Sequence, residues 1–125
     1  MASNLLNQPL KKHIENLSEA VKRLLKEKRM KQSELAKKSG LSKYVISRIV
    51  NNTNGRGGEY KPSDNVIMML AVGFQLSSVE ATEQLFYAAY PEKEFWPLFL
   101  DKGMNIIDIN TMLYDNELPM LGNFD

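Results

Sequence analysis

Four residues near the middle of the chain carry hydrogen-bond donors at positions that one face of a helix would share. They are Lys43, Tyr44, Ser47 and Arg48. The apolar residues among them, Val45, Ile46 and Ile49, recur three and four positions apart, so a helix here would bury one face and expose the four polar side chains. Ammonium, hydroxyl and guanidinium groups all donate hydrogen bonds to acceptor atoms. The pattern therefore predicts a binding surface.

The residues that catalysis needs are missing or scattered. The chain of 125 residues has no cysteine and one histidine, His13, which excludes disulfides, thiol nucleophiles and metal sites built from thiolates or several histidines. The acidic residues stand singly, so no triad or carboxylate dyad is visible, and the glycines at 55–58 lack the preceding strand of a phosphate-binding loop. We expect no enzyme activity, no cofactor and no bound metal.

Residues 32–51 show the pattern of two short helices that cross at a tight turn. Leu35 and Ala36 are the inward residues of the first helix, and the small Ala36 allows a close crossing. Gly40 stands where the chain must adopt a left-handed conformation. Ser42 can cap the second helix by accepting a hydrogen bond from a free backbone N–H. The stretch predicts a helix-turn-helix, with an αα-hairpin that merely packs as the alternative.

This order of residues resembles the phage-repressor and Cro-like (Xre-type) family of DNA-binding domains. The resemblance covers about residues 21–76, roughly half of the chain. The matching residues are Gln32, Leu35, Ala36, Gly40, Leu41, Ser42, Ile46, Ser47, Ile49 and Asn51, followed by Lys61, Pro62 and Ser63. The resemblance implies an all-α, five-helix repressor-like domain.

The family geometry implies that the helix at about 42–51 enters the major groove of double-stranded DNA, with the preceding helix across the backbone. It assigns base contacts to Lys43, Tyr44, Ser47 and Arg48; Arg48 and Lys43 can donate to guanine O6 and N7, and Tyr44 can touch a thymine methyl. The phosphate contacts that it implies are Gln32, Ser42, Asn51, Lys31, Lys37, Arg56 and Lys61. For each single lysine, a solvated surface charge is the alternative.

Three positions depart from the family pattern. Family members usually carry an arginine at the position of Leu25 and a glutamate at that of Val50, which form an ion pair. Two aliphatic residues can replace such a pair without loss of stability, so we expect Leu25 and Val50 to touch. Lys31 stands where a small capping residue is usual, which predicts a weak cap for the second helix.

The charge of the chain is distributed unevenly. Residues 1–62 contain 14 Lys and Arg against 5 Asp and Glu, a net charge of +9, whereas residues 63–125 contain 2 against 10, a net charge of −8. Such asymmetry is expected when one half of a protein faces phosphates. The alternative is that the basic and acidic halves attract each other, within the protein or between subunits.

Outside the central stretch, the pattern predicts further helices and one loop. Residues 1–8 lack periodicity and should be frayed. An amphipathic helix is expected from Pro9 to near Lys28; the alternative is a break at Leu17 and Ser18, with helix on both sides and Ser18 as the cap of the family's first helix. Its extra N-terminal turns would pack on their own domain or contact a second subunit. Residues 51–62 read as a mobile loop, either a wing along the phosphate backbone or a tolerated insertion.

Two serines mark the start of the last two helices of the domain. Ser63 caps a helix whose apolar residues, including the gap-filling methionines, are expected to pack in the core: Val66, Met68, Met69, Leu70, Val72, Phe74 and Leu76. Ser77 and Glu80 have capping-box spacing and begin a helix that Pro91 stops.

The last thirty-odd residues hold more large apolar side chains than a short surface helix needs. Two short helices are expected there, the first ended by Gly103 and the second capped by Asn105. Their apolar residues are Phe95, Trp96, Leu98, Phe99, Leu100, Ile106, Ile107, Ile109, Met112, Leu113 and Tyr114. They either extend the monomer's core or form a subunit or partner interface.

These patterns together predict a DNA-binding domain at 1–90 and a helical extension at 91–125. The function that they indicate is a sequence-specific transcriptional regulator that represses as a homodimer. The alternative is an antitoxin or regulatory interaction module that binds a partner protein through the C-terminal half. We expect a soluble, cytoplasmic protein, because no apolar run approaches the length of a membrane span and the polar N-terminus does not resemble a signal peptide.

Overall fold

A computed structural model describes residues 15–122, and all regular secondary structure within that range is helical. Its contacts divide the described chain into two compact units. The N-terminal unit is Glu15–Ala89, and the C-terminal unit begins at Tyr90. The helical stretch predicted from Pro9 lies mostly outside the described residues.

Five helices form the N-terminal unit. They are α1 (Leu17–Glu27), α2 (Gln32–Ser39), α3 (Lys43–Asn51), α4 (Asp64–Phe74) and α5, which runs through Ser78–Ala81, a π-helical turn at Thr82–Phe86, and Tyr87–Ala89. Pro91 follows α5, as the sequence predicts. The predicted all-α, five-helix architecture is confirmed.

The start of α1 corrects one prediction. Asn16, rather than Ser18, caps the helix: its Oδ1 accepts from the Glu19 backbone N–H at 2.8 Å, and the Glu19 carboxylate accepts from the Asn16 N–H at 3.2 Å. Ser18 is buried, and its Oγ donates to the carbonyl oxygen of Val50 on α3 at 2.5 Å. Ser18 therefore joins two helices instead of capping one.

The core of the N-terminal unit is built from one apolar face of each helix. Its fully buried members include Val21, Leu24, Leu35, Ile46, Ile49, Leu70, Phe74 and Leu85. Helix α1 packs on α3, and α2 packs on α4. The second crossing is close because Gly73 has no side chain: a Cβ there would lie 2.8 Å from Cβ of Ser39.

Helix α4 exposes two residues that the sequence places in the core. Met68 and Val72 are 65% and 68% exposed. The buried residues of α4 are Ile67, Leu70, Gly73 and Phe74, and positions 68 and 72 lie one turn apart on another face. An apolar residue was available at nearly every position of α4, so composition did not reveal which face α2 and α5 would cover.

The helix starts and ends follow their predicted local chemistry. Ser63 accepts from the Val66 N–H at 3.4 Å, and Ser77 and Glu80 form the predicted capping box. Helix α4 ends at Phe74, and Gln75, the C-cap residue after it, is a non-glycine residue in the left-handed region with φ 59°. The backbone of 75–76 turns back on the helix through the N–H of Leu76, which donates to the Ala71 carbonyl at 3.0 Å.

The C-terminal unit contains a 3₁₀ helix at Pro91–Phe95 and two α-helices, α6 (Trp96–Asp101) and α7 (Ile106–Asp115). Asn105 caps α7, and α6 is followed by Gly103 in the left-handed region, as predicted. The non-helical tail is held by the Asn110 side chain, which accepts from the Leu121 N–H at 2.7 Å and donates to its carbonyl at 3.1 Å.

The apolar residues of the C-terminal unit divide between a small core and the surface. The core residues are Phe99, Ile109, Met112, Leu113 and Leu118. The exposed apolar set comprises Trp96, Leu100, Ile106, Ile107, Tyr114 and Met120. The buried residues form a small core of their own, and a subunit or partner interface for the exposed ones stays a prediction.

Candidate nucleic-acid interface

The turn between α2 and α3 has the predicted geometry. Gly40 adopts φ 80° and its N–H donates to the Ala36 carbonyl at 3.0 Å. The Ser39 hydroxyl, buried beneath the turn, accepts from the Leu41 N–H at 3.1 Å. Ser42 then caps α3 by accepting from the Val45 N–H at 3.2 Å. These bonds set the angle at which α3 leaves α2.

Helix α3 has one buried and one exposed face. Ile46, Ile49 and Val50 are buried. The exposed residues are Lys43, Tyr44, Ser47, Arg48 and Asn51. Tyr44 is 79% exposed, the highest fraction among the large hydrophobic residues of the described chain. The four residues that the resemblance assigns to base contacts therefore lie together on a solvent-facing surface.

A hydrogen bond within α3 links two of its exposed side chains. Nδ2 of Asn51 donates to Oγ of Ser47 at 3.2 Å, one helical turn away. The bond orients the Asn51 amide, whose oxygen stays available as an acceptor, and leaves the Ser47 hydroxyl hydrogen available as a donor. The sequence analysis did not foresee this pairing, although its spacing of four residues permits it.

The segment after α3 contains a hydrogen-bonded turn at residues 53–58, within the predicted loop. Oδ1 of Asn54 accepts from the N–H groups of Arg56 at 2.7 Å and Gly58 at 3.2 Å, while the Asn54 N–H donates to the Gly58 carbonyl at 2.9 Å. Oγ1 of Thr53 accepts from the Gly55 N–H at 3.1 Å. Short polar side chains before glycines favour such turns, and this signal was present in the sequence.

The predicted phosphate-contacting residues are all exposed, but their surroundings differ. Lys31 and Gln32 lie at the start of α2, where no side chain caps the helix, in agreement with the predicted weak cap. Free N–H groups at a helix start favour an anion. Lys37 is exposed in the last turn of α2. Nζ of Lys61 lies 3.9 Å from Oε2 of Glu59, so the carboxylate already balances part of the lysine's charge.

The other predicted phosphate contacts are Ser42, Asn51 and Arg56. Ser42 is exposed but uses its hydroxyl oxygen as the cap of α3. Arg56 is exposed in the turn that Asn54 closes. Within the described residues, Arg56 and the lysines at 31, 37 and 43 make no salt bridge. Their charges therefore remain available to a polyanion.

Arg23, by contrast, uses its guanidinium group for hydrogen bonds within the protein. Nε of Arg23 donates to both carboxylate oxygens of Glu15, at 3.0 and 2.9 Å; its other nitrogens donate to Glu27 at 3.1 Å and to Gln84 on α5 at 3.2 Å. The hydrogen bond with Glu15 is the main reason that the pKa of Arg23 is raised above its ordinary value. Arg23 thus connects α1 to α5 rather than to a ligand.

The position of the family's ion pair is occupied by apolar side chains. Val50 is buried and Leu25 is half-buried, on the two helices that pack together. A direct contact between these two side chains stays a prediction. The polar link between α1 and α3 is the hydrogen bond from Ser18 to the Val50 carbonyl. A serine beside the apolar stripe of α1 was the signal that could have revealed it.

A comparison of the sequence with models of known families found a match. The family model of the Cro/C1-type HTH DNA-binding domain matches residues 20–76, from α1 to just beyond α4. Neither the comparison with curated proteins nor that with solved structures found a match. No helix in the described part of the chain has the length and apolar character needed to cross a membrane. Residues 20–76 are thus similar to Cro/C1-type HTH DNA-binding domains, and this similarity supports a role in DNA binding.

Proposed function

We propose that this protein is a transcriptional regulator that recognises a specific double-stranded DNA sequence through α3. The observation that carries the proposal is the exposed face of α3, where Lys43, Tyr44, Ser47 and Arg48 stand together on a domain of the DNA-binding type. In such domains the second helix of the motif enters the major groove. Donors on this face then meet the base edges, which are distinguishable there.

The four side chains differ in the base atoms that they can contact. Arg48 donates two hydrogen bonds to O6 and N7 of one guanine, and Lys43 donates to the same kinds of acceptor. Tyr44 contacts a thymine methyl or donates through its hydroxyl, and Ser47 is a shorter donor. Gln32, Ser42, Asn51 and the basic residues at 31, 37, 56 and 61 contact phosphates and fix the register of α3.

A dimer follows from the size of one recognition helix. One copy of α3 reads a single half-site, and two copies about 34 Å apart read two half-sites on the same side of the duplex. The exposed apolar set of the C-terminal unit offers a surface for such pairing; Ile107 and Tyr114 lie two turns apart on α7 and are 74% and 70% exposed. Symmetric burial of these side chains joins two copies. A dimer seated on an operator represses by excluding other proteins from it.

Selection of binding sites from random duplexes tests the recognition. The intact chain should enrich a two-fold symmetric sequence. Arg48→Ala should then weaken binding to that sequence by about 1–3 kcal/mol and relax the preference at one base pair. Lys37→Ala is the matched control: it should weaken binding to preferred and random DNA alike and lower the salt slope by about one. If Arg48→Ala weakens binding to the preferred sequence and to random DNA equally, Arg48 does not contact a base.

A second candidate function uses the same C-terminal residues to bind another protein, as an antitoxin would. Its support is the combination of exposed Trp96 with an acidic surface, since residues 90–122 contain six Asp and Glu against two Lys. Light scattering on the intact protein separates the candidates. A dimer that Ile107→Asp and Tyr114→Asp convert to monomers supports self-pairing, whereas an intact monomer at tens of micromolar favours a partner protein.

A further inference from the structure

The closed turn at 53–58 lies directly against Arg48. The position that a Cβ would take on Gly55 is 3.5 Å from Nη2 of Arg48, 3.7 Å from Nε and 3.8 Å from Cζ. Three atoms of the guanidinium group are thus at nearly equal distances from one point of the turn. The guanidinium group of the exposed Arg48 therefore lies beside Gly55, at van der Waals distance from the position that a side chain there would occupy.

Asn54 holds the turn in this shape. Its Oδ1 accepts from the N–H groups of Arg56 and Gly58, and its own N–H donates to the Gly58 carbonyl, so one side chain and one backbone N–H close five residues. Gly58 completes the arrangement because a Cβ there would lie 2.7 Å from Nδ2 of Asn54. A side chain at position 58 would displace the amide that closes the turn.

We propose that the turn at 53–58 positions Arg48 and that Asn54 is a positioning residue which sets base preference without contacting DNA. The proposal deepens the recognition proposed above, since it presupposes that Arg48 reads a base. An exposed arginine samples many rotamers and loses that freedom when it aligns with a guanine. A backbone surface beside the guanidinium restricts those rotamers before binding, so less freedom is lost in the complex.

This role differs in kind from that of a phosphate contact in the same loop. Arg56 lies within the turn and is exposed, so its charge attracts the DNA backbone whatever the sequence. Loss of Arg56 should weaken binding to all duplexes by a similar factor. Loss of the Arg48 support should instead reduce the ratio between the affinities for preferred and random DNA, because only a base contact is affected.

The test measures that ratio for the intact chain at one fixed salt concentration. Asn54→Ala should lower it about threefold to tenfold, within the range of coupling between contacting residues. Gly58→Ala should lower the ratio by a similar factor, because its added Cβ displaces the Asn54 amide that closes the turn. Asn54→Asp keeps the acceptor oxygen, so it should retain the ratio while its negative charge weakens binding to both DNAs. Asn65→Ala, an exposed asparagine of α4, is the matched control and should change neither affinity.

The decisive comparison repeats Asn54→Ala in the Arg48→Ala background. If Asn54 acts through Arg48, the second substitution should leave the already reduced ratio unchanged within a factor of about two. An unchanged ratio for Asn54→Ala alone, or an equal further loss without Arg48, overturns the positioning role while the proposed recognition stands. If Arg48→Ala itself leaves the ratio intact, both proposals fail together. Circular dichroism melting of each variant verifies that the helices are retained. If Asn54→Ala does not fold, Gly58→Ala, alone and in the Arg48→Ala background, provides the readout.

Discussion

Replacement of Gly73 by alanine should destabilise the protein, although it improves the helix-forming tendency of α4. Alanine in place of glycine within a helix gains about 1 kcal/mol by propensity alone. At position 73, however, the added Cβ would lie 2.8 Å from Cβ of Ser39, 3.0 Å from Cδ1 of Leu35 and 3.1 Å from Cα of Ser39. Carbon atoms pack favourably at about 3.5–4.0 Å. The two helices must therefore move apart by several tenths of an ångström.

The size of the loss follows from what surrounds the new methyl group. Overpacking a core costs about 1–3 kcal/mol, and the upper part of that range applies because backbone on the α2 side cannot rotate away. After the gain in propensity, a net loss of about 2 kcal/mol remains. For a unit of this size, each kcal/mol lowers the melting temperature by about 4–8 °C. Because α2 carries the turn into α3, DNA affinity should fall as well.

Thermal and urea unfolding of the intact chain, followed by circular dichroism, measures the change. Val72→Ala is the matched control: it alters the neighbouring position of α4, whose side chain is 68% exposed, and should change the stability by no more than about 0.5 kcal/mol. Ser39→Gly removes the acceptor of the Leu41 N–H in either background, but it should cost less stability in Gly73→Ala than in the parent, since there it also removes the atom nearest to the new methyl group. A Gly73→Ala variant as stable as the parent would refute the close crossing of α2 and α4.

Three further predictions concern stability. The pKa of Glu80 is lowered from 4.5, mainly by the hydrogen bond from the Ser77 N–H; its carboxylate should therefore stabilise the fold above about pH 4.5, with this contribution lost as the pH falls through the lower folded-state pKa. In melts from pH 6 to pH 3, the Glu80→Gln variant should lose less stability than the parent, and parallel curves would contradict the assignment. Gln75→Gly should raise the free energy of unfolding by about 0.5–1 kcal/mol, because glycine adopts the left-handed conformation of this helix end without a Cβ penalty; a loss in urea unfolding would show that the Gln75 side chain contributes more than its backbone costs. Ser18→Ala should cost about 1–3 kcal/mol by removing the donor to the buried Val50 carbonyl, and an unchanged urea midpoint would mean that water replaces the hydroxyl.

Much of the N-terminal unit could be predicted because its signals are local. Gly40, Ser42 and Ser63 act on backbone groups within a few residues of themselves, and each does what its type and position predict. The exposed face of α3 follows in the same way from apolar residues three and four positions apart. The choice of Ser18 as a cap failed because two capping residues stand close together in the sequence. Asn16 forms the box with Glu19, which leaves the Ser18 hydroxyl for α3.

The sequence by itself determined the helices, the turn of the motif and the polar face that α3 presents, because each depends on neighbours within about one helical turn. Only the tertiary structure decided which face of α4 is buried, since Met68 and Ile67 are equally suited to a core and the position of α2 selects between them. The same holds for the closeness of Gly55 to Arg48, where a Cβ on Gly55 would lie 3.5 Å from Nη2 of the guanidinium group. That distance depends on how the turn closed by Asn54 folds back toward α3, and residue spacing alone does not predict it.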